Sequence, residues 1–204
     1  MKNKILNIIN ESISVKEKTK KLSGIIEEIA GAIIKCYRAG GKVVLFGNGG
    51  SAADCQHIAT ELMCRFEKER KSFSAVALTT DTSLLTAVSN DYGFDRVFAR
   101  QVEGIVSKGD AVIAISTSGN SKNVISAARQ AKKQGAFVIG FTGAGGGQLK
   151  GVCNITLAVP SKVTARIQEV HITVGHIICK LIENDPITCR HTSGVSPKHR
   201  QVAG

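Results

Sequence analysis

The residues best equipped for chemistry fall into two short segments. His57 and Glu61 are four positions apart, so on a helix they share one face. Gln168, Glu169, His171 and His176 stand among apolar neighbours in a second segment. On an ideal helix His176 lies about 80° around from Gln168 and about 12 Å along. Carboxylate plus imidazole can move a proton between adjacent carbons of a sugar. A base removes the proton alpha to the carbonyl, and a second group handles the hydroxyl protons of the enediol. Glu61 suits the base and His176 its acid/base partner. The N and O donors of His57, Glu61, Gln168 and His176 equally suit Zn²⁺ or another divalent ion. Ligand distances of about 2.0–2.2 Å require Gln168 and His176 both to reach inward across two turns. Failing that, the ligands must come from different subunits.

Two further stretches carry anion-binding chemistry. "GNGGS", Gly47 to Ser51, follows an apolar run, and its glycines let backbone N–H groups approach an anion at a helix N-terminus. "STSGNS", Ser116 to Ser121, follows another such run and offers four hydroxyls together with its backbone N–H groups. Such a cluster can surround a phosphate monoester without a cation in first contact. Gly47, Gly49 and Ala52 also fit G-x-G-x-x-G/A, the dinucleotide-binding turn. That fingerprint expects an acid about 20 residues on, at the end of the next strand. The first acid there, Asp81, lies well beyond it, so no nucleotide cofactor is expected.

These residues need a scaffold that presents loops at strand ends. Val15 to Tyr37 has apolar residues at 15, 22, 25, 26, 29, 33 and 34, a helical period that Gly40 and Gly41 stop. "KVVLF" reads as a buried parallel strand. Ser51 is placed to cap a helix from Ala52 to about Phe66. "FSAVALT" and a helix from about Ser83 follow, then "DAVIAIST", and after "SGNS" the helix "KNVISAARQAKKQG". "FVIGFTG" and "NITLAV" are two more strands, joined by a Gly-rich connection. Strands alternating with helices predict a five-stranded parallel sheet with helices on both faces, a three-layer α/β/α sandwich. The closing helix, Ala165 to about Glu183, is apolar on nearly every side, which suggests a subunit interface. Residues 1–185 read as one domain with an N-terminal helical segment, and 186–204 as a flexible basic tail.

The 204 residues carry a net charge of +11, with 43% hydrophobic and 21% charged residues. Only 4% are aromatic, and the basic residues are scattered apart from "KEKTKK" at 16–21. With neither stacking platform nor basic stripe, attraction of an anionic small substrate is as good a reason for the charge as nucleic acid, and no nucleic-acid partner is expected. No apolar run approaches the roughly 18–20 residues of a membrane span. The start, "MKNKILNIINES", is too short in its apolar patch and too Asn-interrupted for a secretory signal, so cytoplasmic residence is expected. Six cysteines at 36, 55, 64, 153, 179 and 189 form no C-x-x-C and read as reduced thiols.

Four segments together, "GNGGSAADCQHIATEL", "ALTTDTSLLTAVSNDYGFD", "GDAVIAISTSGNSKNV" and "TARIQEVHITVGH", resemble the phosphoheptose isomerases of the sugar-isomerase (SIS) domain superfamily. The match is in register over about residues 35 to 183. The resemblance implies an aldose–ketose isomerase that interconverts sedoheptulose 7-phosphate and D-glycero-D-manno-heptose 7-phosphate, the first step toward nucleotide-activated heptose. It implies a homotetramer with active sites at subunit interfaces and one Zn²⁺ per subunit. By motif, Ser116, Thr117, Ser118 and Ser121 would hold the phosphate, and Asn48, Gly49, Gly50, Ser51, Glu61, Asn90, Asp91 and Gln168 would line the sugar site. Glu61 and His176 match the catalytic pair, and His57, Glu61, Gln168 and His176 the zinc ligands. A related group of SIS proteins binds the replication initiator DnaA instead. Those proteins lack the Glu and the second His, both of which are present in this chain as Glu61 and His176.

Overall fold

The computed structural model describes residues 1–186 and is built on a wholly parallel sheet of order β2-β1-β3-β4-β5. Its strands are β1 (Val43–Gly47), β2 (Ala75–Ala77), β3 (Ala111–Ile115), β4 (Phe137–Thr142) and β5 (Ile155–Ala158). Every residue of β1 and β3 is buried, because crossover helices cover both faces of a parallel sheet. Helices α1 (Lys2–Thr19), α2 (Ser23–Arg38), α3 (Gly50–Met63) and α8 (Thr164–Glu183) lie on one side. On the other lie α4 (Thr82–Tyr92), α5 (Val97–Ile105), α6 (Lys122–Lys133) and the short α7 (Gly147–Lys150). Strand alternation divides the core between them. Leu45, Ile113, Ile115 and Phe141 pack under α2, α3 and α8, whereas Val44, Phe46, Val112 and Ala114 pack under α5 and α6. The predicted three-layer sandwich is what forms.

β1 and β3 are neighbours although β2 lies between them in sequence. The chain therefore turns to one side of β1 for β2 and to the other for β3, β4 and β5. At such a switch point the two outgoing connections part and leave a crevice beyond the strand ends, where ligands bind in this strand order. Gly47 is in register with Ile115, so the loops after β1 and β3 leave the sheet at one level.

Two local expectations are corrected, and the closing helix gains detail. The N-terminal helix begins at Lys2, not near Val15, and a 3-10 turn (Lys20–Leu22) separates it from α2. Ile5, Leu6, Ile8, Ile9 and Ile13 are all exposed, so the apolar period that faces this chain's own core starts only at Val15. Ser51 does not cap the helix after β1. That helix starts earlier, from Gly49 at φ 56°, with Ser51 N–H already bonded to the Asn48 carbonyl and the Ser51 side chain buried. Much of the apolar surface of α8 is absorbed within the chain by α1, α2 and α3, leaving Ile177 and Leu181 exposed. The proposed tail lies, from residue 187 on, outside the described residues, as does Cys189.

Candidate active site

The loop after β3 gathers hydroxyl groups. Ser116 Oγ shares hydrogen bonds with Ser121 Oγ (3.0 Å) and Ser118 Oγ (3.4 Å), so three of the predicted hydroxyls converge. Ser121 sits at the N-cap of α6, yet its side chain makes no capping bond. It bonds to Ser116 instead, beside the N-terminus of α6, where the Val124 N–H is taken up by Asn123 Oδ1 (2.9 Å). The Gly-rich connection after β4 braces this loop: Gly143 N–H donates to the Thr117 carbonyl and Leu149 N–H to the Gly119 carbonyl, both at 2.9 Å. Gln148 N–H donates to Asn120 Oδ1 (3.1 Å). Nothing in the composition of residues 143–149 marks them as a brace, since their role lies in backbone contacts.

The loop after β1 stands beside it. Gly47 must be glycine for packing: a Cβ there would meet the Ile115 carbonyl at 2.9 Å and Ser51 Cβ at 3.0 Å. Asn48 exchanges two hydrogen bonds with buried Asn123, Nδ2 to Oδ1 in each direction at 2.9 and 2.8 Å. This amide pair ties the β1 loop to the start of α6 and so sets the two loops against each other. Asn123 was not foreseen. Its only sequence signal is a polar residue on the inward side of an amphipathic helix.

About two turns beyond the glycines, α3 and α8 bring His57, Glu61 and His176 together. Their ligand atoms all lie within 4.8 Å of one another. His57 Nε2 is 3.2 Å from Glu61 Oε1 and 2.9 Å from His176 Nε2. Two ring nitrogens and a carboxylate oxygen converging in this way match the donor chemistry of a divalent ion such as Zn²⁺. Phe66 stacks on the His176 ring, with centroids 5.5 Å apart. Asp54, one turn before His57, has a buried Oδ2 without a partner among the described residues. Burial lifts its carboxyl to about 6, while the neighbouring imidazole pulls it back.

The other predicted residues are distributed around this centre. The Gln168 carboxamide lies against the start of α3, where a Cβ on Gly50 would come within 2.5 Å of its Nε2. From Gly50 to His57 is about 10 Å along the helix. In this conformation Gln168 therefore faces the glycine turn rather than the two imidazoles. Asn90 and Asp91 bond to each other (2.9 Å) at the exposed end of α4, and no side-chain hydrogen bond among the described residues joins them to either loop. Glu169 is structural: it accepts from Ser12 Oγ at 2.6 Å and pairs with Arg166 at 2.5 Å, fastening α1 to α8.

His171 is fully buried, and its Nε2 meets the Thr142 carbonyl at 3.1 Å, linking α8 to the end of β4. Burial pulls its basicity from the ordinary 6.5 down to about 4, partly opposed by that hydrogen bond. The neutral ring is thus the folded form. Its contribution is complete above pH 6.5 and is lost as pH falls through about 4, about 3 kcal/mol in all. Chemical denaturation at a series of pH values should record this loss. In His171→Gln, which keeps an N–H donor without a titrating ring, the fall over that window should be shallower by this amount.

The comparisons with known proteins agree with this geometry. Residues 9–143 match the family model of the SIS domain. The chain is 54% identical to the phosphoheptose isomerase of Roseiflexus sp. (strain RS-1), over 88% of this chain and 91% of that protein. It is 52% identical to the phosphoheptose isomerase of Aquifex aeolicus, over 90% and 96%. The solved phosphoheptose isomerase of Neisseria gonorrhoeae superposes with a TM-score of 0.86 at 41% identity, covering 90% of this chain and 99% of that one. A parallel sheet with a hydroxyl loop and a His–Glu–His group at its switch point, matched at this identity over nearly the whole length, places the chain in the phosphoheptose isomerase family of SIS-domain proteins.

Proposed function

We propose that the chain interconverts sedoheptulose 7-phosphate and D-glycero-D-manno-heptose 7-phosphate through an enediol, the first step toward nucleotide-activated heptose. The observation that carries this reading is the convergence of His57, Glu61 and His176 within 4.8 Å of one another, in a chain whose loop after β3 gathers three serine hydroxyls. The loop holds the phosphate at one end of the sugar, with Asn48, Gly49, Gly50, Ser51 and Gln168 along its length and Asn90 and Asp91 completing the sugar site. Glu61 Oε1 faces His57, and Oε2 is assigned to the proton on C1. As that proton leaves, His176 donates one to the oxygen on C2. Return of a proton to C2 and loss of the proton on O1 then give the aldose, with Glu61 and His176 restored. His57, Glu61 and His176 would hold a Zn²⁺ ion; Gln168, which lies against Gly50 in this conformation, would have to turn from there, or come from another subunit, to serve as the fourth ligand. When bound, such an ion polarises the carbonyl and the adjacent hydroxyl.

A coupled assay of the purified protein on sedoheptulose 7-phosphate, with and without added Zn²⁺, tests the reading. Turnover that falls on chelation and returns with Zn²⁺ is expected. No turnover by well-folded, zinc-supplemented protein would sink it.

The protein is further proposed to act as a homotetramer. In support, α1 leaves Ile5, Leu6, Ile9 and Ile13 exposed, and an apolar groove of about 490 Å³ runs between Lys16–Glu27 and the Val170–Leu181 face of α8. Ile9→Glu should shift the mass measured by light scattering below that of the native assembly. An unchanged mass would remove Ile9 from the interface. Residence in the cytoplasm is proposed from the five free thiols of the described residues, one of them, Cys64, exposed. No helix among those residues is long and apolar enough to cross a membrane.

A further inference from the structure

We infer that the buried ion pair of Arg70 and Glu183, acting through Phe66, positions the proton-transfer groups; the inference rests on the roles given above to Glu61 and His176. Both side chains are only 2% exposed. Arg70 Nη2 donates to the Glu61 carbonyl (2.7 Å), and Nη1 donates to the carbonyls of Leu62 (2.9 Å) and Lys71 (3.1 Å). Carbonyls in the last turn of a helix have no intrahelical donor, so the guanidinium closes the end of α3 at the residue that carries the base. Its remaining contacts fix it in place, with Nε on Glu183 Oε1 (3.2 Å) and the plane 4.1 Å over the Phe73 ring.

Glu183 does the same for the segment that follows. Its Oε1 accepts from Phe66 N–H (3.1 Å), and its Oε2 accepts from the N–H groups of Glu67 (2.8 Å) and Lys68 (2.9 Å). Burial alone would push this carboxyl up, but those donors and Arg70 hold it below the usual range. The segment is thereby pinned to the end of α8 with the Phe66 ring lying on His176. One ion pair thus fixes the turn carrying Glu61 and the ring packed against His176. The hydrogen bonds described for the pair lie at the end of α3 and in the segment after it, so the expected influence is on the chemical step and not on the grip on phosphate. Lysine could not replace Arg70, because it lacks the planar fork that meets three carbonyls and a carboxylate together.

The test compares Glu183→Gln, Phe66→Leu, Phe66→Tyr and Lys180→Gln with the native protein. Lys180→Gln is the control, since it breaks only the exposed pair with Glu67 that joins the same two segments. Rates on sedoheptulose 7-phosphate are measured well below each melting temperature, and Zn²⁺ affinity is measured by calorimetry without substrate. Glu183→Gln should lower kcat about tenfold or more with KM within about twofold. Phe66→Leu should lower kcat and weaken Zn²⁺ binding, each several-fold. Phe66→Tyr, which keeps the ring, should restore both, and Lys180→Gln should change neither. Native kcat and Zn²⁺ affinity in Phe66→Leu would overturn the inference, as would a loss in Glu183→Gln that only tracks the unfolded fraction. If Glu183→Gln does not fold, the Phe66 pair decides. Absence of turnover by the native protein would defeat the proposed function itself, and Zn²⁺ affinity would then decide on positioning.

Discussion

Glu61→Gln is expected to reduce turnover of sedoheptulose 7-phosphate by about 10²–10⁴-fold, the range for loss of a general base. The substitution keeps the shape of the side chain and leaves an amide oxygen facing His57, 3.2 Å away in the native arrangement. It removes the one property an amide lacks, the capacity to take up a proton near neutral pH. Affinity for inorganic phosphate should be retained, because the hydroxyl loop connects β3 to α6, and the Asn48–Asn123 pair that ties the β1 loop to the start of α6 does not involve Glu61. Zinc content is to be measured on the same sample, so that loss of the base is separated from loss of a ligand. Undiminished activity in a folded, zinc-replete variant would remove Glu61 from the reaction. Loss of phosphate affinity in parallel would instead point to collapse of the site.

Gly119→Ala should do the opposite, damaging binding far more than chemistry. Gly119 lies at φ 67°, where an L side chain is strained, and a Cβ there would run into the Gly146 carbonyl of the bracing connection. Both obstacles are backbone, so no side chain can swing aside. The loop must lift off its brace, taking Ser118 and Ser121 out of convergence with Ser116. KM for the sugar phosphate should rise about tenfold or more, equivalent to about 1.4 kcal/mol of lost binding, with kcat changed only a few-fold. Steady-state kinetics and phosphate calorimetry would check this. A native KM would mean that the loop is not the phosphate grip.

The sheet and its loops were legible because their information is local. Apolar runs ending in glycine or serine give strands with loops at one edge, and His57 with Glu61 is a pair separated by one helical turn. The meeting of that pair with His176 was inferred from donor chemistry, and it depends on the packing of α3 against α8. What stayed hidden depends on contacts without a periodic signature. Asn123, Arg70 and Glu183 look like ordinary polar residues, and only the folded chain puts them against Asn48, the end of α3 and the Phe66–Lys68 backbone. The N-terminal helix was read short for a related reason. Its first three turns face away from their own core, so the period that betrays a helix to its neighbours is missing there.

Because Gly47 and Ile115 leave the sheet side by side, the roles proposed for gripping phosphate and for moving protons fall on elements that follow different strands. Changes in α3 and α8 can therefore alter what happens at the reactive end of a sugar without altering how its other end is held. On the proposed roles, a descendant that lost Glu61 and His176 but kept residues 116–121 would still recognise a phosphorylated sugar. It would report the sugar's presence instead of transforming it, so a metabolic catalyst and a metabolite sensor are near neighbours in the inheritance of this architecture.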